Sequence, residues 1–217
     1  MVSRKIEITL ALIMKLKLWF YNHFKHINIQ CGKNCNIKNL HLSSCGKNNS
    51  LIMEDGVVLK DVTIKVFGNN NVILIGKGNY FHNINFAIED DNNKIKIGNN
   101  VYIGEKSLLA ALEGTNITIG SDCMIAGPCE LRTSDSHSLL DLNGNRLNTA
   151  KDINIGNHVW VGTECLILKG ANIPSDCVIA AKSLVCKTNI KWISFAVYGG
   201  NPAKLIKSNI NWNRERI

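Results

Sequence analysis

Aliphatic residues recur every six positions through the C-terminal half of the chain, at Ile155, Val161, Ile167, Ile173, Ile179 and Val185. Four places after a leading aliphatic comes a second slot of small or modest residues, filled by Val159, Cys165, Ala171, Cys177 and Ser183. A short unit of fixed period cannot bury its apolar face alone, so it must stack on copies of itself. The pattern therefore predicts a solenoid of three short strands per coil, each leading aliphatic pointing into a narrow prism and resting on its counterpart in the next coil. The N-terminal half carries a longer version, with Cys31, Met53, Ile75, Ile97 and Ile119 spaced by 22, and Ile37, Leu59, Phe81, Ile103 and Ile125 at the same interval. The extra residues are expected at one corner, where polar turn-formers at 46–49, 68–71, 90–93 and 113–116 should project into solvent. On the third side Lys65 falls where an aliphatic is expected, so the inward residue there shifts to Ile64 or Val66.

Two stretches fall outside the repeat. Residues 133–152 hold few repeat positions and read as a protruding loop, a common place for chemistry on a rigid scaffold. Near the start, Arg4 and Lys5 precede an apolar run at 6–14, as in a secretory signal. Lys15 and Lys17 interrupt it, no small-residue cleavage site follows, and the run is too short to span a bilayer as a helix. Residues 5–25 are expected to form a helix that caps the core or packs between subunits. The alternative is peripheral association with a membrane through its basic, aromatic-bearing surface.

Composition narrows the partners. The 217 residues suit one main domain, and 45% hydrophobic with 19% charged residues describes a globular chain. A net charge of +8 suits a polyanion: nucleic acid, acidic lipid, acidic polysaccharide or a phosphorylated cofactor. The few aromatics form no stacking platform among basic residues, which argues against nucleic acid. Cys35, Cys123, Cys165 and Cys177 share the small buried slot, so they read as free thiols in a reducing cytoplasm rather than as bridges or a metal site. A buried slot also argues against a covalent acyl-enzyme.

The loop contains Ser134-Asp135-Ser136-His137, and Asn157-His158-Val159-Trp160-Val161-Gly162 follows about one coil later. The repeat, these two motifs and the later Gly200-Asn201-Pro202-Ala203-Lys204 occur in the order of the hexapeptide-repeat acyltransferase superfamily, which residues 31–207 resemble. Asn211-Trp212-Asn213-Arg214-Glu215 adds a likeness to O-acetyltransferases of bacterial capsule and surface polysaccharides, the polysialic acid enzymes among them. The resemblance implies an all-β solenoid, specifically a left-handed parallel β-helix, with an N-terminal helix, a protruding loop and a short C-terminal extension. The corresponding division is a helical cap at 1–30, a catalytic β-helix at 31–189 with its loop at 133–152, and an extension at 190–217.

It also implies a homotrimer, with acetyl-CoA as acyl donor in a cleft between prisms, an acidic glycan as acceptor and no metal. His137 is then the base that accepts a proton from a sugar hydroxyl, with Asp135 or a loop carbonyl fixing its tautomer, although Asp135 could equally stabilise the turn. Trp160 would line the acceptor and thioester end, and a backbone N–H of Gly162-Thr163 would face the developing oxyanion. His158 reads as structural. By matching motif position, the remaining contacts to the donor are Gly162, Thr163, Ala180, Ala181, Lys187, Lys204 and Lys207, where small residues admit pantetheine and lysines meet phosphate. Lys204 and Lys207 also fit as ordinary solvated lysines, and Lys182 and Cys186 depart from the family's usual residues.

Other readings stay open. The same donor site could serve an N-acetyltransferase acting on a nucleotide-linked amino sugar or small amine, though no nucleotide-binding domain precedes the coils. A nonenzymatic glycan-binding solenoid would need neither acetyl-CoA nor His137. A metal-dependent hydratase would require three converging histidines, and His137 and His158 lack a third. The expected location is the cytoplasm, at the inner face of the membrane if the N-terminal helix lies on lipid.

Overall fold

The structure, a computed structural model, describes residues 16, 18–20, 23, 26–186 and 191–217. Most of the expected N-terminal helix and Lys187 lie outside these residues. The described positions 16, 18–20 and 23 are helical, and Leu18 packs against the core.

From residue 27 onward the chain winds as a left-handed parallel β-helix with three faces. Face one is a seven-stranded parallel sheet running from Ile27–Cys31 to Asn172–Ile173. Its inward file is Cys31, Met53, Ile75, Ile97, Ile119, Ile155 and Ile173, each registered on the next. Face two stacks Ile37, Leu59, Phe81, Ile103, Ile125, Val161 and Ile179. Both files are those of the sequence repeat. Burying an aliphatic of this size contributes roughly 1.5–3 kcal/mol, and each is also covered above and below by its neighbours.

Face three resolves the Lys65 discrepancy. Ile64 and Val66 are both buried while Lys65 faces solvent. The inward file is Leu42, Ile64, Phe86, Leu109, Leu131, Ile167 and Val185. In the first coils the step from face two to face three is five residues, as from Leu59 to Ile64, and from Ile103 to Leu109 it becomes six. The short corners turn on Asn39, Asp61 and Asn83 with φ of 54°, 52° and 52°. Such short polar residues visit the left-handed region readily.

The long corners do not project wholly into solvent, as the sequence suggested. Asn49, Asn71 and Asn93 are each 1% exposed and turn inward. The side chain of Asn71 donates to Asp90 O at 2.9 Å and its Oδ1 accepts the Asn93 N–H at 2.8 Å. Asn49 does the same one coil earlier, accepting Asn71 N–H at 3.0 Å. This amide ladder satisfies backbone groups that the wide corner leaves without sheet partners.

The winding continues past residue 189. Ala196–Gly200 adds to face two, with Tyr198 registered on Ile179 and fully buried, and Ala203–Ser208 returns antiparallel to it. This hairpin covers the last coils, an end that an uncovered solenoid would expose.

Candidate active site

The corner between faces two and three brings several predicted residues together. Gly162 and the Ala180-Ala181 pair occupy it in successive coils. A Cβ on Gly162 would stand 2.5 Å from Ala181 N and 2.8 Å from Ala181 Cα, so only glycine permits this approach. The Thr163 hydroxyl donates to Gly127 O at 2.5 Å, and Lys182 N–H donates to Thr163 O at 2.9 Å. The expected donor is narrowed here: Gly162 N–H is spent on Ile179 O at 2.7 Å and is unavailable to an oxyanion. The remaining peptide donor of that step is Thr163 N–H. Ala181 is exposed, whereas Ala180 lies under the terminal hairpin, where a Cβ on Gly199 would be 2.8 Å from the Ala180 Cβ. Lys204 and Lys207 are exposed on that hairpin, registered on Gly199 and Val197.

Trp160 sits on face two, one strand before this corner, and is 38% exposed. The C-terminal extension runs back beside it. Trp212 stacks on His158 with ring centroids 4.3 Å apart and lies tilted at 6.1 Å from Trp160. Its indole N–H donates to His158 O at 2.9 Å, and Arg214 donates to Asn100 O and Cys123 O at 2.8 and 2.9 Å. His158 holds φ of 51° at a turn position where other coils carry Asn34, Asn100, Asp122 or Asp176. Trp212 on one side and Asp176 Oδ1 at 3.0 Å from Nδ1 fix it there. The family-like ending thus has a structural task, anchoring the strap that backs Trp160.

His137 lies on a different edge. Its loop leaves after Glu130–Arg132 on face three and rejoins at Ile153–Ile155 on face one, and His137 is exposed. Residues that the sequence did not single out hold the loop's base. Arg146 grips Glu113 with two hydrogen bonds of 2.6 and 2.9 Å, and the buried Ser134 hydroxyl donates to the same carboxylate. The Arg146 hydrogen bonds, and then that of Ser134, hold the Glu113 carboxyl below the usual range. Asp135 does not orient His137: its carboxylate accepts from Lys169 Nζ and, at 2.7 Å, from Asn148. Lys169 in particular lowers its pKa. Asn148 also donates to His137 O at 2.8 Å, so Asp135, Asn148 and Lys169 set the backbone at His137 rather than its ring.

A hollow of about 360 Å³ beside the loop is lined by Glu89, Glu113, Ser136, Ser138 and Arg146. A larger groove of about 710 Å³ crosses face three from Glu164 and Cys165 to Glu89, which lines both. Face three therefore joins the Gly162-Thr163 corner to the foot of the His137 loop.

The thiols are not placed as nucleophiles: Cys165, lowered to about 7 by its hydrogen bond with Cys129, is only 2% exposed and so is withheld from a substrate. All eight cysteines are free, and burial pushes Cys123 and Cys177 up to about 11. Cys129 is held up by its hydrogen bond with Cys165 and by burial, and its thiol donates to Ala126 O at 2.8 Å. Among the described residues no group of three or more His, Cys, Asp or Glu side chains could hold a metal ion, and no helix is long and apolar enough to cross a membrane.

Fold and corner together define a hexapeptide-repeat β-helix of the acyltransferase type. No protein-family model matches the chain. A polysialic acid O-acetyltransferase of Escherichia coli O1:K1 / APEC is 43% identical over 100 residues, 46% of this chain and 32% of that protein. The chain spans between a third and a half of the length of the curated relatives it matches first. Among solved structures, the polySia-specific acetyltransferase NeuO superposes with a TM-score of 0.76 at 36% identity, over 88% of this chain and 80% of that one. The polysialic acid O-acetyltransferase OatWY gives 0.76 at 29% identity, over 88% and 90%. The chain belongs to the hexapeptide-repeat acetyltransferase family, and within it is similar to the polysialic acid O-acetyltransferases.

Proposed function

We propose that the protein is an O-acetyltransferase that moves acetyl from acetyl-CoA to a hydroxyl of an acidic bacterial polysaccharide, polysialic acid in the first instance. The observation that carries this reading is the structural likeness, over 88% of this chain, to two polysialic acid acetyltransferases, joined to an exposed loop histidine on a braced loop. The residues present suit the donor. Small, exposed Ala181 beside Gly162 leaves room for an extended chain, and Lys204 and Lys207 put exposed cations on the neighbouring hairpin for phosphates. Acetyl-CoA supplies the acetyl group as a thioester.

His137 holds the proton that the hydroxyl gives up as its oxygen attacks, which a neutral imidazole does well near pH 7. Thr163 N–H is the fixed donor for charge developing on the thioester oxygen. Trp160, backed by Trp212, offers an indole face to the sugar.

Within one chain His137 and the Gly162-Thr163 corner stand on different edges of the prism, separated by face three. A homotrimer would complete the site by setting the loop of one protomer against the corner of the next. We place the enzyme in the cytoplasm, where polysaccharide precursors meet acetyl-CoA. The test is release of CoA from acetyl-CoA across purified bacterial polysaccharides. Acidic polymers, polysialic acid above all, should stimulate release. Acetylation of neutral glycans without acidic ones would overturn the acceptor class.

A further inference from the structure

The polar partners of His137 among the described residues stop at its carbonyl, which accepts from the Asn148 amide at 2.8 Å. None of the described side chains binds its imidazole, so the backbone beneath the ring sets its direction. That backbone is held on both sides. After His137, the Asn148 Oδ1 also accepts the Leu139 N–H at 2.7 Å. Before it, Ser136 N–H donates to Ser134 Oγ at 2.9 Å. Ser136 stands at φ 63°, in the left-handed region that serine enters only at a cost.

Ser134 links this turn to the rigid coils. Thr133, the residue before it, is still tied to neighbouring backbone, its N–H on Ala110 O at 3.1 Å and its carbonyl on Lys151 N–H at 3.0 Å. Ser134 itself is 1% exposed, and its one hydroxyl hydrogen goes to Glu113. An ionised carboxylate can only accept, and Arg146 binds both oxygens of this one, at 2.6 and 2.9 Å. Ser134 must therefore donate to Glu113, which leaves the lone pairs of its Oγ for Ser136 N–H. Arg146, and then Ser134, hold the Glu113 carboxyl below the usual range, so it remains an acceptor near pH 7. Glu113 follows the strand Leu108–Leu112 and anchors its own N–H on Asp90 at 3.1 Å. A line of hydrogen bonds thus runs from a fixed corner, through Ser134, to the residue before His137.

We propose that Ser134 is a positioning residue for His137. Its hydroxyl, aligned by Glu113, holds Ser136 in the left-handed conformation and so aims the imidazole at the acceptor hydroxyl. This rests on His137 being the base, as proposed above. A reacting group misplaced by about 1 Å loses about 10²-fold in rate, so a buried residue that never meets the substrate still governs turnover. Without the Ser134 hydroxyl, the exposed Ser136 gives its N–H to water, and the left-handed turn loses the contact that offsets its cost.

The experiment measures transfer to polysialic acid by Ser134→Ala, His137→Ala and the double variant, at saturating acetyl-CoA and acceptor. Ser134→Ala should lower kcat roughly ten- to a hundred-fold, with acetyl-CoA affinity by calorimetry unchanged and Tm lower by about 1–6 °C. Added to His137→Ala, it should change kcat by less than about two-fold, since a residue that acts only through the imidazole has no effect once the imidazole is gone. Ser134→Ala/Ser136→Asn should recover part of the lost kcat, because asparagine enters the left-handed region more readily than serine. Independently of activity, Ser136 N–H should be protected from hydrogen exchange in the wild type and lose that protection in Ser134→Ala. An unprotected Ser136 in the wild type would overturn the proposal. So would an equal fall in kcat with and without His137, or a loss of acetyl-CoA affinity in Ser134→Ala, since Ser134 would then serve the fold alone. A wild type inactive on polysialic acid, or turnover unchanged in His137→Ala, removes the base reading and this one with it. Turnover lost in His137→Ala but kept in Ser134→Ala removes the positioning role alone.

Discussion

Gly162→Ala tests the corner on which the donor site is built. Its new Cβ would lie 2.5 Å from Ala181 N, 2.8 Å from Ala181 Cα and 3.0 Å from Ala180 C. All three are backbone atoms of the next coil, so no side chain can swing aside, and the coils must part. Parting them stretches Gly162 N–H to Ile179 O at 2.7 Å and Lys182 N–H to Thr163 O at 2.9 Å. Overpacking of a tight interior costs about 1–3 kcal/mol, and a weakened hydrogen bond about 0.5–1.5 kcal/mol more. A total of about 3 kcal/mol lowers Tm by roughly 6–12 °C in a chain of this size. Gly144→Ala is the control: nothing lies within 4 Å of its Cβ, so only the backbone strain at φ +85° counts, about 1–2 kcal/mol. Thermal unfolding by circular dichroism measures both, and acetyl-CoA affinity by calorimetry should fall for Gly162→Ala alone. A Gly162→Ala protein that melts within about 2 °C of the wild type would refute the close coil contact and the reasoning drawn from it.

Other expectations concern the ladder, the loop and the strap. Asn71→Ala leaves the Asn93 N–H inside the wide corner without its partner, while Asp90 O keeps the Asn93 side-chain amide at 3.2 Å, and one unsatisfied buried donor predicts a loss of roughly 1–3 kcal/mol, read by denaturant unfolding. The folded-state pKa values of Glu113 and Asp135 are depressed, so their bracing is present above the ordinary carboxylate range and is lost as pH falls through the depressed values. Protection from hydrogen exchange at 137–147, taken relative to the intrinsic rate at each pH, should therefore be high at pH 7 and be lost only in acid, whereas Arg146→Ala should lower it at pH 7; no protection in the wild type at pH 7 would deny the bracing. Trp212→Ala should raise the KM for the acceptor several-fold with little change in that for acetyl-CoA, and Trp212→Phe should restore much of it. Equal effects on both substrates would mean that Trp212 serves stability alone.

The solenoid was legible because its information is periodic. The leading inward file of faces one and two from Cys31 to Ile179 could be read from spacings of 22 and six, whereas the second buried file of face one, Leu51, Ile73, Ile95 and Ile117 two residues earlier, was not singled out. Face three was harder, since a one-residue shorter corner at Asp61 moves the inward position off the interval, and two aliphatics flank Lys65 on equal terms. Asn49, Asn71 and Asn93 kept the 22-residue spacing, but asparagine also suits exposed turns, so composition alone misplaced them. Tyr198 closes the face-two file after an irregular stretch that carries no repeat.

Loop contacts left no periodic trace. Glu113 and Arg146 are 33 residues apart, and only the folded loop pairs them. The same holds for Asp135, which is close to His137 in sequence but has Asn148 and Lys169 as its partners.

The most direct test of the central claim is steady-state transfer to polysialic acid by His137→Ala beside the wild type, with acetyl-CoA affinity measured on both. His137 is exposed on its loop, so the variant should fold normally. The account predicts that turnover falls by roughly 10² to 10⁴, the range for a positioned base, while acetyl-CoA binds as before. Turnover unchanged in the variant would contradict the account and move the base elsewhere.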